Sequence, residues 1–366
     1  MSDRTSRPAA PRTRYDVDRE ELGALLADQP RYRVDQLWHG MYTELADPSE
    51  LTTLPKALRG QLAEQLPSAL TEVARRTSDG GETTKVLWSL QGGATVETVL
   101  MHYADRVTVC ISTQAGCAMA CSFCATGQAG FERHLTVGEI TEQVVAAARL
   151  ARPSRVSNIV FMGMGEPLAN YDATIGAAHR LHDDLGISAR HLTISTVGVL
   201  AGIRRLAEEP LPVNLAVSLH AANDELRDEL VPINRRAPLA QLAEACREYL
   251  VAKNRRLSFE WAMIDGVNDR PSDAEELAAF ARPLRAHVNL IPLNPTPGYP
   301  VLGTPMGRVR EFRDRLRALG VNATIRENRG TDIDAACGQL RADHEISQVR
   351  LRPTRRSERR PTTLEG

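Results

Sequence analysis

The chain has few of the features that mark secreted and membrane proteins. Six cysteines among 366 residues are too few for a disulfide scaffold. No stretch approaches 18 uninterrupted apolar residues, so we expect no membrane-spanning helix. The polar, arginine-rich first 14 residues lack the apolar segment of a secretory signal. We therefore expect a cytoplasmic protein.

The chain also has little net charge and very little lysine. A net charge of −1 gives the whole molecule no strong field for nucleic acid, and no aromatic motif typical of RNA-recognition domains is present. Lysine occurs at positions 56, 85 and 253 only. Arginines cluster near the C-terminus at 350, 352, 355, 356, 359 and 360, opposed by Glu358. We expect residues 346–366 to form a flexible basic tail.

Apolar periodicity divides the rest of the chain into four regions. Residues 1–14 are expected to be disordered, and residues 15–76 to form a small helical module. Residues 77–105 alternate like strands around Gln91-Gly92-Gly93 and predict a β-hairpin connector. Strands and helices then alternate from 106 to 345.

The alternating region predicts an α/β fold with a parallel sheet and right-handed crossovers. Its strand candidates are 107–113, 158–162, 192–195, 213–218, 257–263, 288–292 and 321–325. Its helical stretches are 137–151, 173–185, 199–208, 239–252, 273–281 and 307–319. Thr136 and Glu139 form a capping box ahead of the first helix. About six such units fit an incomplete parallel (βα)6-type barrel, with its chemistry at the C-terminal ends of the strands.

Three closely spaced cysteines follow the first strand of this series. Cys117, Cys121 and Cys124 lie within eight residues, and three thiolates at this spacing can hold one face of an iron–sulfur cluster. A structural zinc site needs a fourth ligand, which no nearby His or Cys of the loop supplies, although a distant residue could. Three ligands on a four-iron cluster leave one iron open for catalysis, whereas electron carriers usually ligate every iron with protein.

These cysteines, with Phe123 before the last, resemble the CxxxCxΦC motif of the radical S-adenosylmethionine superfamily. Gly165-Glu166-Pro167-Leu168 resembles the superfamily's GGE motif, although alone it could be a strand-to-helix turn. Longer segments resemble the RlmN/Cfr family of RNA methyltransferases over about residues 15–345. They are Cys110–Phe131, MGMGEPL (162–168), VSLHA (217–221), LIPLNP (290–295) and DIDAACGQL (332–340).

The resemblance implies one [4Fe–4S] cluster on the three cysteines and roles for other residues. Contacts to S-adenosylmethionine fall on Gly165, Glu166, Ser195, Ser218, Leu219, His220 and Asn294. Cys337 matches the cysteine that carries a methyl group, Cys110 the thiol that resolves the covalent intermediate, and Glu97 the proton acceptor. From the residues alone, Cys110 reads as a packed strand cysteine and Glu97 as a solvent-facing carboxylate. Cys246 matches no family position and is interpreted as packing.

The reaction that the resemblance implies is methylation of adenosine C2 in the peptidyl-transferase region of 23S rRNA and beside the anticodon of some tRNAs. Two S-adenosylmethionine molecules would be used per turnover, and a flavodoxin-type reductant is implied. Arg133, Arg235 and Arg236 are candidates for RNA contacts, with solvated surface charge as the alternative for each. Methylation at C8 by a Cfr-like enzyme remains the alternative, because the motifs of the two largely coincide. We expect a monomer.

Overall fold

The computed structural model describes residues 12–293 and 301–326. Its N-terminal part is helical, as predicted, with α1 (Arg19–Leu25), α2 (Tyr32–Tyr42) and α3 (Lys56–Gln65). Asp18 caps α1 in a reciprocal bond pair with Glu21. Buried apolar side chains of the three helices pack into a core of their own, and Trp38 Nε1 donates to Asp184 at 2.9 Å. The module is thereby docked onto the α/β part.

Twelve strands form two sheets within the described residues. In chain order they are β1 (Leu70–Ser78), β2 (Thr83–Leu90), β3 (Thr95–His102), β4 (Val107–Cys110), β5 (Gln114–Gly116), β6 (Phe131–His134), β7 (Asn158–Phe161), β8 (Leu192–Thr196), β9 (Asn214–Ser218), β10 (Leu257–Met263), β11 (His287–Pro292) and β12 (Ala323–Ile325). Strands β5 and β6 pair with each other; the other ten form one sheet in the order β1-β2-β3-β4-β7-β8-β9-β10-β11-β12.

The large sheet changes character at β4. From β1 to β4 all pairs are antiparallel, and from β4 to β12 all are parallel. The helices are α4 (Ala125–Gln128), α5 (Val137–Ala151), α6 (Tyr171–His179), α7 (Leu200–Glu208), α8 (Asp224–Leu230), α9 (Leu239–Lys253), α10 (Pro271–Ala281) and α11 (Met306–Ala318). Six helical crossovers connect the seven parallel strands, so the predicted incomplete (βα)6-type barrel is confirmed.

Local signals in the sequence predicted much of this frame. The capping box of α5 is present, because Thr136 Oγ1 accepts from the Glu139 N–H at 3.1 Å and Glu139 accepts in return. Gly92 and Gly93 both adopt positive φ in the turn between β2 and β3, as a tight hairpin requires. All seven strand candidates of the barrel are strands, with bounds shifted by a few residues.

Several elements differ from the prediction. Leu70–Ser78 is a strand, although the helical prediction ran to about Arg76. Its β-branched residues favour extended backbone, and pairing along β2 stabilises the strand although charged residues obscure its alternation. The short helices α4 and α8 were not predicted at all. The predicted 173–185 helix ends as α6 at His179 and continues as a wider π-helical turn, Arg180–Asp184.

The barrel encloses its core between the sheet and the flanking helices. Alternate residues of the parallel strands are buried against those helices, among them Val109, Ile159, Ile194, Leu215 and Phe259. None of the helices in the described part of the chain has the length and apolar character needed to cross a bilayer. The first 11 residues, the basic tail, Asn294 and Cys337 lie outside the described residues.

Candidate active site at the C-terminal ends of the strands

The loop between β5 and β6 brings its three cysteines to one cavity. Cys117 and Cys121 are buried and Cys124 is partly exposed, and all three line a cavity of about 200 Å³. Gly116 starts the loop at φ +74°, where a Cβ atom would lie 1.9 Å from the Gly130 carbonyl oxygen. Since other residues cannot adopt this approach, glycine is required for the loop to fold back.

The thiol environment fits a metal cluster. Burial raises the pKa of Cys117 to about 11 and raises that of Cys121 further, and the neighbouring thiols add to both shifts. Thiolates placed so close together in a dry cavity need positive charge from a bound metal. In residues 12–293 and 301–326, no three His, Cys, Asp or Glu side chains converge as a single metal ion requires. A four-iron cluster does not demand that convergence, because each thiolate binds a different iron.

The opposite wall of the cavity is built from strand ends. Gly165, Glu166, Ser195, Ser218 and His220 all line it, following β7, β8 and β9, as a barrel-mouth site demands. Gly165 has φ +105°, and a Cβ atom there would lie 2.6 Å from Gln114. The structure thus brings five of the seven predicted S-adenosylmethionine contacts to the cysteine loop.

The side chain of Glu166 forms hydrogen bonds within the protein. Its carboxylate accepts from the backbone N–H of Val197 at 2.8 Å and of Leu168 at 3.0 Å. Burial raises its pKa to about 7, and these hydrogen bonds oppose that rise. Both carboxylate oxygens are therefore engaged in joining the ends of β7 and β8.

His220 is held as a neutral ring. Its Nδ1 accepts from the Ala262 N–H at 3.0 Å, and its ring meets Phe123 edge-on with centroids 4.6 Å apart. Burial lowers its pKa to about 3. Because Nδ1 is the acceptor, the ring hydrogen is on Nε2. His220 thus lines the cavity with a fixed N–H donor at Nε2, and its ring also packs against Phe123 of the cysteine loop.

Of the two remaining predicted contacts, Leu219 lies away from the cavity wall and Asn294 lies outside the described residues. The Leu219 side chain is buried in the core, its N–H donates to the Glu260 carbonyl at 3.0 Å, and its own carbonyl accepts from Arg227. Ser195 lines the cavity and donates from Oγ to the Phe161 carbonyl at 2.6 Å, which leaves the lone pairs of Oγ for a ligand.

Arg227 on α8 is a structural support of the site that was not predicted. Its guanidinium is fully buried and donates to the carbonyls of Leu219 at 3.1 Å and Val197 at 2.7 Å. A third bond reaches Asn234 Oδ1 at 2.7 Å. These bonds tie the ends of β8 and β9 together behind the cavity. The sequence signal was an arginine three residues before Leu230, at an apolar position of a short helix.

A second group lies on the antiparallel side of β4. Cys110 ends β4 and is partly exposed, and burial raises its pKa to about 11. Glu97 on β3 is 2% exposed, which rules out the solvent-facing alternative. Lys85 on β2 is fully buried, with Nζ 2.9 Å from Glu97 Oε2. Sequence reasoning missed Lys85, although a lysine inside an apolar strand in a chain of three lysines was a signal.

The other candidates are simpler. Arg133 forms a two-bond ion pair with Glu139, both distances being 2.7 Å, so it is already engaged within the protein. Arg235 and Arg236 are exposed. Cys246 is completely buried in the core along α9, which agrees with its interpretation as packing.

Comparison with known proteins agrees with this geometry. Residues 111–281 match the family model described as the Radical SAM superfamily. The crystal structure of a radical SAM methyltransferase from Sphaerobacter thermophilus matches with a TM-score of 0.87 and 51% identity, over 90% of this chain and 99% of that one.

Curated relatives match over almost the whole chain. A protein of Parafrankia sp. named "Probable dual-specificity RNA methyltransferase RlmN" is 52% identical over 92% of this chain and 93% of its own. One of the same name from Mycobacterium sp. (strain KMS) is 49% identical over 93% and 97%. With about half of its residues identical over more than nine tenths of its length, the chain belongs to the RlmN family of radical S-adenosylmethionine methyltransferases.

Proposed function

We propose that this chain methylates C2 of an adenosine in 23S rRNA, in the peptidyl-transferase region, and of the adenosine beside the anticodon in some tRNAs. The observation that carries the proposal is one cavity in which the three-cysteine loop faces the strand-end residues Gly165, Ser195, Ser218 and His220. It occurs in a chain that is half identical to proteins named dual-specificity RNA methyltransferases over nearly its full length.

The cavity residues suit the binding of S-adenosylmethionine at a cluster. Cys117, Cys121 and Cys124 would hold three irons of a [4Fe–4S] cluster, and the fourth iron would take the amino and carboxylate groups of the cofactor. When bound, the cluster supplies the electron that splits S-adenosylmethionine into methionine and a 5′-deoxyadenosyl radical. Gly165, Glu166 and the hydroxyl of Ser195 would orient the cofactor.

The chemistry at C2 requires covalent catalysis by the protein. C2 is an electron-poor amidine carbon with no lone pair, so it cannot attack a sulfonium directly. We propose that Cys337 takes a methyl group from one S-adenosylmethionine, and that the radical from a second removes a hydrogen atom from that group. The resulting carbon radical would join C2, and the adduct would pass its unpaired electron back to the oxidised cluster while Glu97 accepts the C2 proton. The Cys110 thiolate would then attack the Cys337 sulfur, forming the disulfide and breaking the S–CH2 bond, and the released carbon would take up a proton to become the methyl group.

The proposed cycle needs electrons from outside. Each turnover would leave one disulfide, which takes two electrons to return to thiols, and the cluster must be reduced before the first turnover. A flavodoxin-type protein is the class of donor that suits both steps.

The position of methylation is the finer point to test. Cfr-like methylation at C8 would use the same residues, but the curated relatives carry the RlmN name, which favours C2. Digested rRNA and tRNA from a strain lacking this gene, with and without complementation, should be compared by mass spectrometry. Gain of 2-methyladenosine on complementation is expected; gain of 8-methyladenosine alone would overturn the C2 assignment. An iron–sulfur protein without enzymatic function would not cleave S-adenosylmethionine to 5′-deoxyadenosine.

A further inference from the structure

Lys85 is placed by the strand register on the same face of the sheet as Cys110. Lys85 on β2 is opposite Val99 on β3, and Val99 is opposite Cys110 on β4. Cys110 is in turn opposite Val160 on β7, which lines the interior of the barrel. Residues directly opposite in adjacent strands point to the same face of a sheet. Lys85 therefore faces the barrel interior from the antiparallel extension, two strands from Cys110.

The Lys85 charge is held in a dry position beside a carboxylate. Lys85 and Glu97 are 0% and 2% exposed, with 2.9 Å between Nζ and Oε2. Glu97 is two residues from Val99 on β3, so it shares the face of Lys85 and Cys110. Burying two charges requires their desolvation, and apolar residues of similar size often stabilise a fold as well or better. Stability alone therefore does not explain this pair.

The charged groups that face Cys110 come from three elements. Burial raises the pKa of the thiol, Arg326 at the end of β12 and Lys85 lower it, and Glu97 raises it. Arg326 also lines the cavity with the three cluster cysteines. Two cations and one carboxylate thus act on the thiol of Cys110.

We propose that Lys85 is a positioning residue for this methyl transfer: it fixes the Glu97 carboxylate next to Cys110 and stabilises the thiolate of Cys110. The inference rests on the roles given to Cys110 and Glu97 in the proposed function. Lys85 itself touches neither substrate nor cofactor. It acts through the two side chains that it holds and polarises.

The test uses full-length, anaerobically reconstituted Lys85→Met protein. Alkylation of Cys110 by iodoacetamide is followed against pH by residue-resolved mass spectrometry, beside RNA methylation. Loss of a nearby positive charge should move the alkylation midpoint to higher pH, and each pH unit of that movement should slow alkylation at pH 8 about tenfold. Turnover should fall, with a protein–RNA adduct accumulating, because Cys110 acts in release. Lys56→Met, on exposed α3, is the control and should match the wild type.

A purely structural role predicts the opposite. A loosened strand would expose Cys110, which would speed its alkylation and move the midpoint to lower pH, because burial is the main cause of the raised pKa of this thiol. That result would overturn the proposal. So would an unchanged midpoint with normal turnover. If wild-type protein failed to methylate RNA, the proposed function would be wrong. The alkylation midpoint would still show whether the Lys85 charge stabilises the thiolate of Cys110.

A second pair of variants covers the case in which Lys85→Met does not fold. Glu97→Gln keeps Lys85 bonded to an amide oxygen, and Glu97→Gln with Lys85→Met removes both charges and leaves no unpaired ion. The two proteins differ only at position 85. The double variant should react at Cys110 several-fold more slowly than Glu97→Gln at the same pH. Equal rates in the two would overturn the proposal.

Discussion

The cysteine loop and the antiparallel extension hold their thiols in contrasting electrostatic environments. In the loop, burial and the neighbouring thiols raise the pKa of Cys117 and Cys121, and these effects outweigh a backbone hydrogen bond from Met119 to Cys117 and the charge of Arg227 near Cys121. In the extension, burial also raises the pKa of Cys110, but the positive charges of Arg326 and Lys85 lower it. A thiolate that will bind iron can take its positive charge from the metal, whereas a thiol that reacts without a metal must take it from the protein. Under the proposed function, the two regions would prepare cysteines for two kinds of chemistry.

The largest expected effect is loss of the cluster, which tests the loop half of the comparison. Cys121→Ala should abolish both bound iron and turnover, because the loop provides three cysteine ligands and the cluster needs all three. Iron content and the visible absorbance of anaerobically reconstituted protein measure it. Cys246→Ala, which removes a buried thiol from α9, is the control and should keep its iron. A Cys121→Ala protein with full iron content that turned over would show that the ligand assignment is wrong.

The second prediction tests the extension half through covalent trapping. In Cys110→Ala the methyl carrier and the cluster remain, so the RNA should be attached but not released. A protein–RNA species that survives a denaturing gel is therefore expected in most of the protein after one turnover. Cys337→Ala should form none, since the methyl group has no carrier. An iron-replete Cys110→Ala preparation without adduct would contradict the two-thiol mechanism.

A smaller loss of stability and of cofactor binding is expected when Arg227 is replaced. This prediction sharpens the comparison because it distinguishes a residue that supports the cavity from the residues that would bind iron. Arg227→Met removes the donors to Leu219, Val197 and Asn234 and leaves buried acceptors unsatisfied. We expect destabilisation by about 3 kcal/mol, with weaker S-adenosylmethionine binding and unchanged iron stoichiometry. Thermal denaturation and equilibrium binding measure these. Arg204→Met breaks an exposed ion pair with Glu248 and should shift stability by less than about 1 kcal/mol. If the two variants had the same stability and the same affinity for S-adenosylmethionine, Arg227 would not be a support of the site.

The smallest effect concerns the pH dependence of the neutral His220. Its folded pKa, about 3, is below the value of about 6.5 for an exposed histidine, so the unfolded chain takes up a proton that the folded protein does not. Its contribution to stability is therefore fully present above pH 6.5 and is lost as pH falls below that value. Between pH 7 and pH 5.5 the loss should be about 1 kcal/mol. Denaturation midpoints of wild type and His220→Asn at both pH values measure it; asparagine tolerates the positive φ of this position. Parallel shifts in the two proteins would show that His220 is not the titrating group.

Contiguous patterns in the sequence were sufficient for the loop and for the barrel. The spacing of Cys117, Cys121 and Cys124 is set by neighbours along the chain, and so are the capping box of α5 and the glycine turn before β3. The alternation of apolar strands and helices likewise predicted six crossovers, because buried parallel strands and amphipathic helices have different periods. For these elements, local sequence carries the signal that decides the structure.

Contacts between distant strands decided what the sequence left open. Strand β1 forms because β2 is available to pair with it, and α8 is held by the buried bonds of Arg227. The burial of Glu97, its pairing with Lys85 and their position beside Cys110 depend on the register of β2, β3 and β4, and a shift of one residue would turn these side chains to the other face. Register is set by packing of the whole sheet. The sequence alone therefore predicted the three-cysteine loop and determined the fold class, and only the tertiary structure placed the charges around Cys110.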